Sequence, residues 1–362
     1  MRRIPVLITM VVLMVAMLAI VGSPAQAATT TGTTTTTGTG TTGTTGITSP
    51  VTSPITTSAT DATGTTTTST TATTLTTPVR YGPFTIPAAS SDDMPGMLEQ
   101  VRLGVTKPCQ DCYITSFKPD LIYSDGSTAN VINVTDPYTG SVKQSGVMLH
   151  HAVFTNQFRS DATCGSSGTL WGLAGERFFA AGNERTTIGF PAGYGYRVRW
   201  WDSWNLLVDL MNHETQPKSV YVQVTYTYTS ASDPVEPLKP VWLDIDNCGD
   251  SEYSIPYGYS DTHWDWNVNV PGNVIAAAAH VHGHGIAVEA TNESRGGTSI
   301  CRSEAELDPM NVHMVQSMST CSGDPLARVK LGDTVRLHSE YQSTHPADDV
   351  MGIMLAYIDR TT

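Results

Sequence analysis

Ser219-Val-Tyr-Val-Gln-Val-Thr-Tyr-Thr-Tyr228 alternates without a break, with Val220, Val222, Val224, Tyr226 and Tyr228 on one face and Tyr221, Gln223, Thr225 and Thr227 on the other. Residues two apart share a face of a β-strand, so the run reads as a strand with an apolar and a mostly polar side. Working outward, short runs of the same kind recur between turns. Before it they cover 113–117, 121–123, 147–154, 196–201 and 204–211; after it they cover 241–245, 274–279, 286–290, 334–339 and 350–358. They are rich in Val, Tyr, Trp and Thr, which suit a half-buried pleated surface, and no long amphipathic helical pattern interrupts them. The expected fold is all-β: two tandem antiparallel β-sandwich (jelly-roll-like) domains, 81–229 and 241–362. The three prolines of Ser230–Pro240 mark the linker at 230–240. Trp200, Trp201, Trp204, Trp264 and Trp266 read as core fillers.

Ahead of this, Arg2-Arg3, an apolar run over 4–21 and Ser23-Pro-Ala-Gln-Ala27 make a secretory signal peptide, 1–27. The alternative is an uncleaved anchor, because the apolar run is nearly long enough to span a bilayer. Residues 28–80, mostly Thr with Gly, Ser and Ala, cannot bury a core and are expected to be a disordered linker. It serves either as a stalk associating the domains with a cell surface or as a plain spacer. The expected location is therefore secreted, extracellular or at the cell surface, with no membrane span after signal cleavage. A net charge of −13 excludes a phosphate backbone as the natural partner, so nucleic acid is not expected.

Export makes the six cysteines, Cys109, Cys112, Cys164, Cys248, Cys301 and Cys321, candidates for disulfides. Cys109-Gln-Asp-Cys112 could also read as a redox or zinc pair. No second CxxC and no thioredoxin-like pattern accompanies it, so a disulfide is preferred.

The chemistry-bearing stretch is Ile275–Ala290, IAAAAHVHGHGIAVEA. His280 and His282 fall on one face of a strand, a start on a site for zinc, copper, iron or nickel; the other reading is two half-exposed histidines. His150-His151 is harder to place, since adjacent strand residues face opposite ways. Both reach one metal only across a β-bulge, or by binding through different ring nitrogens. His213 closes the run that ends Met211-Asn212-His213, where a histidine is often merely solvated. Asp120 and Asp348-Asp349 read as solvated turns.

Taken together, Phe117-Lys-Pro-Asp120, Leu149-His-His151, Arg177-Phe-Phe-Ala-Ala-Gly182, Gly193-Tyr-Gly-Tyr196, Leu210-Met-Asn-His213, His280-Val-His-Gly283 and Met318-Ser-Thr-Cys321 resemble the stress up-regulated Nod 19 family. That pattern is in turn similar to the copper type II, ascorbate-dependent monooxygenases that act on peptidylglycine and dopamine. The resemblance implies two coppers per chain: His150, His151 and His213 on one in the first domain, and His280, His282 and Met351 on the other in the second. The coppers would face each other across a solvent-filled cleft, with ascorbate or another reductant supplying electrons and a small-molecule substrate being hydroxylated. It also implies a Cys301–Cys321 disulfide and leaves Cys109, Cys112, Cys164 and Cys248 unassigned. Met354 is the alternative to Met351, on the opposite strand face; His284 and His313 are candidate substitute or supporting ligands. Where the peptide-hydroxylating enzymes anchor a substrate carboxylate, this chain has Ala278, Ile353 and Leu355. An uncharged substrate follows, or, as the alternative, an extracellular copper-buffering protein with no turnover.

Overall fold

The computed structural model describes residues 73–91, 94–135, 137–165 and 175–360. The expected signal peptide and most of the Thr-rich segment lie outside the described residues. Twenty-one strands follow one another: β1 (Leu75–Ile86), β2 (Gly96–Val105), β3 (Cys112–Ile122), β4 (Val131–Thr135), β5 (Val142–Asn156), β6 (Glu176–Ala181) and β7 (Ile188–Gly189). Then come β8 (Tyr194–Val198), β9 (Trp204–Asn212), β10 (Lys218–Ser230), β11 (Glu236–Asp244), β12 (Tyr253–Ile255), β13 (Gly258–Asn267) and β14 (Gly272–Val281). The last are β15 (Gly285–Asn292), β16 (Thr298–Asp308), β17 (Asn311–Met318), β18 (Thr320–Val329), β19 (Thr334–Ser343), β20 (Ala347–Val350) and β21 (Gly352–Asp359). The described chain has no α-helix, and the all-β sandwich reading holds.

The sheets refine the domain picture. A central sheet runs β1-β10-β3-β8-β11-β21-β14-β18 and so passes from the first half of the chain into the second. The join is a short parallel pairing, Glu236 with Tyr194 and Pro237 with Gly195. One flanking sheet, β2-β9-β5-β4 with β6 on β5, belongs to the first half; another, β13-β19-β15-β16-β17, belongs to the second. The middle strands serve both cores. In β21, Ile353, Leu355 and Tyr357 belong to the first core, while Met354, Ala356 and Ile358 belong to the second. In β14, Ala276 and Ala278 face the first core and Ala277, Ala279 and Val281 the second. Strands packed on both faces have no polar face to show, which is why Ile275–Ala279 reads as an unbroken apolar run.

Several expectations need correction. Leu75–Arg80, assigned to the disordered linker, forms the start of β1: its Leu75 to Tyr81 segment pairs residue by residue with Tyr228 to Val222. Leu75, Thr77, Val79 and Tyr81 face inward and alternate with the exposed Thr76, Pro78 and Arg80, enough to use the open edge of β10. Glu236–Pro240, assigned to the interdomain linker, is the first part of β11, where Leu238 supplies burial. The strand expected at 196–201 ends at Val198, and Trp200 and Trp201 are 68% and 50% exposed at the turn before β9. Trp204 and Trp266 are buried as expected. Asp120 is not a turn residue but lies in β3, where Arg185 donates to it at 2.7 Å. Asp349 lies in β20.

All six cysteines are paired, Cys301–Cys321 as the resemblance implies, with Cys109–Cys112 and Cys164–Cys248 besides. The Cys164–Cys248 bond ties the loop after β5 to the loop after β11, across the two halves.

Candidate metal centre

β5 and β9 are antiparallel neighbours, and their register slips by one residue between Leu149 and His151. Leu149 faces Leu210 and His151 faces Asp209, so His150 is the extra residue of a β-bulge. The bulge removes the alternation that would have sent adjacent side chains apart. The two imidazoles stand together, with ring centroids 4.0 Å apart. Both present Nδ1 to the same carboxylate oxygen: His150 in close contact with Asp209 Oδ2, and His151 at 3.6 Å from it.

His280 is the penultimate residue of β14, on the face shared with Ala276 and Ala278. Its Nδ1 lies 3.2 Å from Glu184 Oε1, and Glu184 is fixed in turn by the Gly182 N–H at 3.0 Å. Gly182 has to be glycine: a Cβ there would lie 2.7 Å from His280 Cε1. His282, just beyond the strand, points Nδ1 at the Asp349 carbonyl at 2.5 Å. Its backbone N–H donates to Tyr341 Oη at 2.9 Å, and the Tyr341 hydroxyl donates to the Met351 carbonyl at 2.5 Å. Tyr341 thus holds the His282 turn against the segment carrying Met351.

The other ring nitrogens meet. His151 Nε2 is 3.2 Å from His280 Nε2 and 3.1 Å from His282 Nε2. Ligand nitrogens of His150, His151 and His282 all lie within 4.8 Å of one another. Asp209, Glu184 and the Asp349 carbonyl are acceptors, so the Nδ1 atoms of His150, His280 and His282 carry the proton, and the Nε2 atoms of His280 and His282 turn lone pairs toward His151. A cation would satisfy the lone pairs that meet there. Two imidazoles on one metal at about 2.0–2.1 Å place their nitrogens roughly 2.9–3.4 Å apart, the spacing found here. A carboxylate or carbonyl behind each ring is the usual support of metal-binding histidine.

The electrostatics agree. Burial foremost, with the charges of neighbouring imidazoles, pushes His151 down to about 3 and His282 well below the usual histidine value. Both are neutral, as a ligand must be. Burial alone would raise Asp209, but hydrogen bonds from His150 and His151 win and hold its carboxyl far below the usual range. Glu184 is lowered likewise: burial opposes ionisation and the His280 ring outweighs it.

Two cavities adjoin the cluster. One, of about 200 Å³, is lined by His151, His280 and Met351, with Ala278, Ile353 and Leu355 among its apolar wall and Glu99, Asp250 and Glu252 also lining it. The other, of about 300 Å³, is lined by His150, His280, His282, His284 and His345 together with Met148 and Met211.

The structure therefore brings together His150, His151, His280 and His282, and sets Met351 on the wall of the first cavity. The resemblance implies one site per half; here the middle strands belong to both halves, and the His-x-His pair lies beside the His-His pair. His213 lines neither cavity. Met354 faces away, fully buried in the second core. His284 sits in the turn after β14 with φ of 69°, 5.5 Å from His345 between ring centroids. The side chain of His313 lies outside the described residues. Sequence reasoning missed Asp209, Glu184 and Tyr341. Asp209 had left a signal, a lone carboxylate inside the apolar run Trp204–Asn212; Glu184 and Tyr341 had left none.

Comparison with known proteins supports the resemblance read from the sequence. Residues 241–360 match the family model described as stress up-regulated Nod 19. The probable copper-dependent oxygenase M1 of a Phoma species is 27% identical over 305 residues, covering 78% of this chain and 72% of its own. The probable copper-dependent oxygenase clz3 of Cochliobolus lunatus is 26% identical over 269 residues, covering 67% of this chain and 78% of its own.

Proposed function

We propose that this protein is a copper-dependent oxygenase that hydroxylates a C–H bond of an uncharged, largely apolar small molecule. The observation that carries the reading is a cluster of four imidazoles in which the Nε2 atoms of His151, His280 and His282 meet at 3.1–3.2 Å, opening on a cavity with an apolar wall. Imidazole donors suit copper and disfavour magnesium or calcium, and the Met351 thioether on the same cavity wall is a soft donor of the same preference. The names of the two fungal relatives support the same class.

Bound copper would supply the one-electron chemistry that lets dioxygen react with an unactivated C–H bond. One oxygen atom enters the substrate and the other leaves as water, with two electrons and two protons from a reductant such as ascorbate. The chain's own residues set the conditions. Asp209 and Glu184 fix the rings, burial keeps His151 and His282 neutral, and the apolar wall holds substrate while excluding water. Among the described residues no lysine or arginine lines this cavity. A substrate carboxylate would meet Glu99, Asp250 and Glu252 and find no lysine or arginine to pair with, a costly burial. The disulfides and the N-terminal segment support export, so the working location we propose is extracellular or at the cell surface.

The test is dioxygen uptake by the copper-loaded full chain with ascorbate, over a panel of neutral alicyclic and aliphatic compounds and their carboxylate counterparts. Labelled oxygen is followed into product. Copper-dependent uptake with incorporation into neutral compounds is expected. Stoichiometric copper without uptake above that of free copper would sink the oxygenase reading and leave copper buffering; preference for carboxylates would sink the substrate class.

A further inference from the structure

Four of the large apolar side chains left exposed lie at one end of the first flanking sheet. Trp200 and Trp201 are 68% and 50% exposed in the turn that feeds β9, their rings 5.3 Å apart. Phe158, 65% exposed, follows β5, and the neighbouring Gln157 N–H donates to the Ser203 carbonyl at 2.9 Å. Leu103, 71% exposed, sits in the β2 bulge whose Gly104 N–H donates to Asn205 at 3.2 Å. β2, β9 and β5 are neighbours in that order, so these residues share one rim. Apolar side chains scattered singly on a surface need no explanation; four gathered on one rim do.

The backbone beneath the indoles is fixed. Lys107 Nζ donates to the carbonyls of Arg199, Trp200 and Asp202 at 2.9, 3.1 and 2.8 Å. The Asp202 carboxylate accepts from the Arg199 N–H at 2.7 Å and from Arg159 at 2.5 Å. A turn with its own polar bonds made therefore holds the indoles outward, pre-organised for a surface that covers them. The charge beside them is unlike that of the rest of the chain. Segments 102–111, 157–160 and 197–203 carry five cations, Arg102, Lys107, Arg159, Arg197 and Arg199, against two carboxylates, Asp111 and Asp202, which is +3 in a chain of −13. Asp202 is buried and Asp111 is paired with Arg197 at 2.6 Å, so neither confronts an approaching phosphate unpaired.

The chain also enters its sheets at this end. Leu75, the first residue of β1, is level across the central sheet with Tyr228, Ile114 and Tyr196 in turn. Tyr196 precedes Trp200 by only a few residues. The Thr-rich stretch thus joins the fold three strand spacings, roughly 14 Å, from the strand that runs into the indoles.

We infer that this rim docks on the surface of a phospholipid bilayer, with Trp200, Trp201, Phe158 and Leu103 in the interfacial layer and the cations at the phosphates. Tryptophan favours that layer because its ring is apolar and its N–H is not, and neighbouring arginine and lysine reach the headgroups. A stalk holding the domains at a cell surface would turn the same rim toward it. The docking does not depend on whether the histidine cluster turns over substrate.

The experiment is vesicle co-sedimentation of the full chain, wild type against W200S/W201S, with phosphatidylcholine alone and mixed with phosphatidylserine. Both proteins keep the N-terminal segment, so the difference between them isolates the rim. Both positions are exposed, so denaturant unfolding should be unchanged. Partitioning should fall by about 100-fold in the variant, as two large apolar side chains are withdrawn from the bilayer. For wild type it should be stronger with phosphatidylserine and should weaken as salt is raised. Equal partitioning of the two proteins, or none for wild type, would overturn the proposal. Lipids brominated on their acyl chains decide independently, on the wild type itself. They should quench its indole fluorescence in the vesicle-bound state, and absence of quenching would refute the docking. Dimerisation or polysaccharide binding that W200S/W201S abolishes, with no vesicle binding by wild type, would give the rim to another partner and sink the bilayer.

Discussion

Two of the buried polar clusters among the described residues are built on opposite principles. In one, Asp161 accepts six hydrogen bonds: from the N–H and Oγ1 of Thr163, the N–H of Cys164, and the N–H, Nε and Nη2 of Arg177. The Arg177 guanidinium also lies 4.8 Å from the centre of the Trp242 ring. Charge meets charge and donors meet acceptors, so the cluster is complete. In the histidine cluster the outer nitrogens are satisfied by Asp209, Glu184 and Asp349, but the inner ones face one another, and Asp209 Oδ1 has no partner. A complete buried network stabilises a fold; an incomplete one whose vacancies converge is made for something that binds. Counting donors and acceptors distinguishes the two without knowing any relative.

The comparison can be broken most readily at the complete cluster. Asp161→Ala leaves the Arg177 charge buried and unpaired, and should cost about 3–5 kcal/mol in denaturant unfolding, whether or not copper is present. Burial would raise the Asp161 carboxyl, but Arg177 and the backbone N–H groups outweigh it and hold it at about 2. Against an unfolded value of about 3.9, that contribution is full above pH 4 and is lost as pH falls through 2. The gap between wild type and variant should narrow over the same window; a gap independent of pH would mean that the pair contributes nothing through its charge.

Next comes the incomplete cluster, whose stability should depend on what fills it. Copper at about a hundred times its dissociation constant should stabilise the fold by about 2.7 kcal/mol, and a chelator should reverse this. In His151→Ala the increment should vanish, because His151 is the ring shared by the close nitrogen contacts. An increment of the same size in that variant would show that the ion binds elsewhere. Smaller still, Asp209→Asn should weaken copper by about 10–100-fold, read by competition with a chelator, since it removes the charge behind two rings and replaces one acceptor oxygen with a donor. No change in affinity would reduce Asp209 to a structural role.

The smallest effect tests the two-faced strand. Met354→Leu lies on the far side of β21 from the cavity, and should cost less than about 1.5 kcal/mol with copper affinity unchanged. A loss of copper would contradict the assignment of faces.

The all-β class, most strand positions and the four histidines were legible in the chain, because alternation over two residues is a local property that a strand must display if one face is buried. The difficulty at His150-His151 was legible too, as a demand for a bulge. Other features depended on register and on neighbours far away in sequence. Whether a bulge exists is decided by pairing with β9, where Leu210 and Asp209 take consecutive partners. Whether two domains stay separate is decided by β11, β14 and β21, whose uniformly apolar stretches do not say that each face packs on a different core. From that sharing follows the meeting of His280 and His282 with His151, which no spacing along the chain encodes. Sequence determines which side chains share a face; the tertiary structure decides which faces meet, because burial on both sides of a strand leaves no polar trace to read.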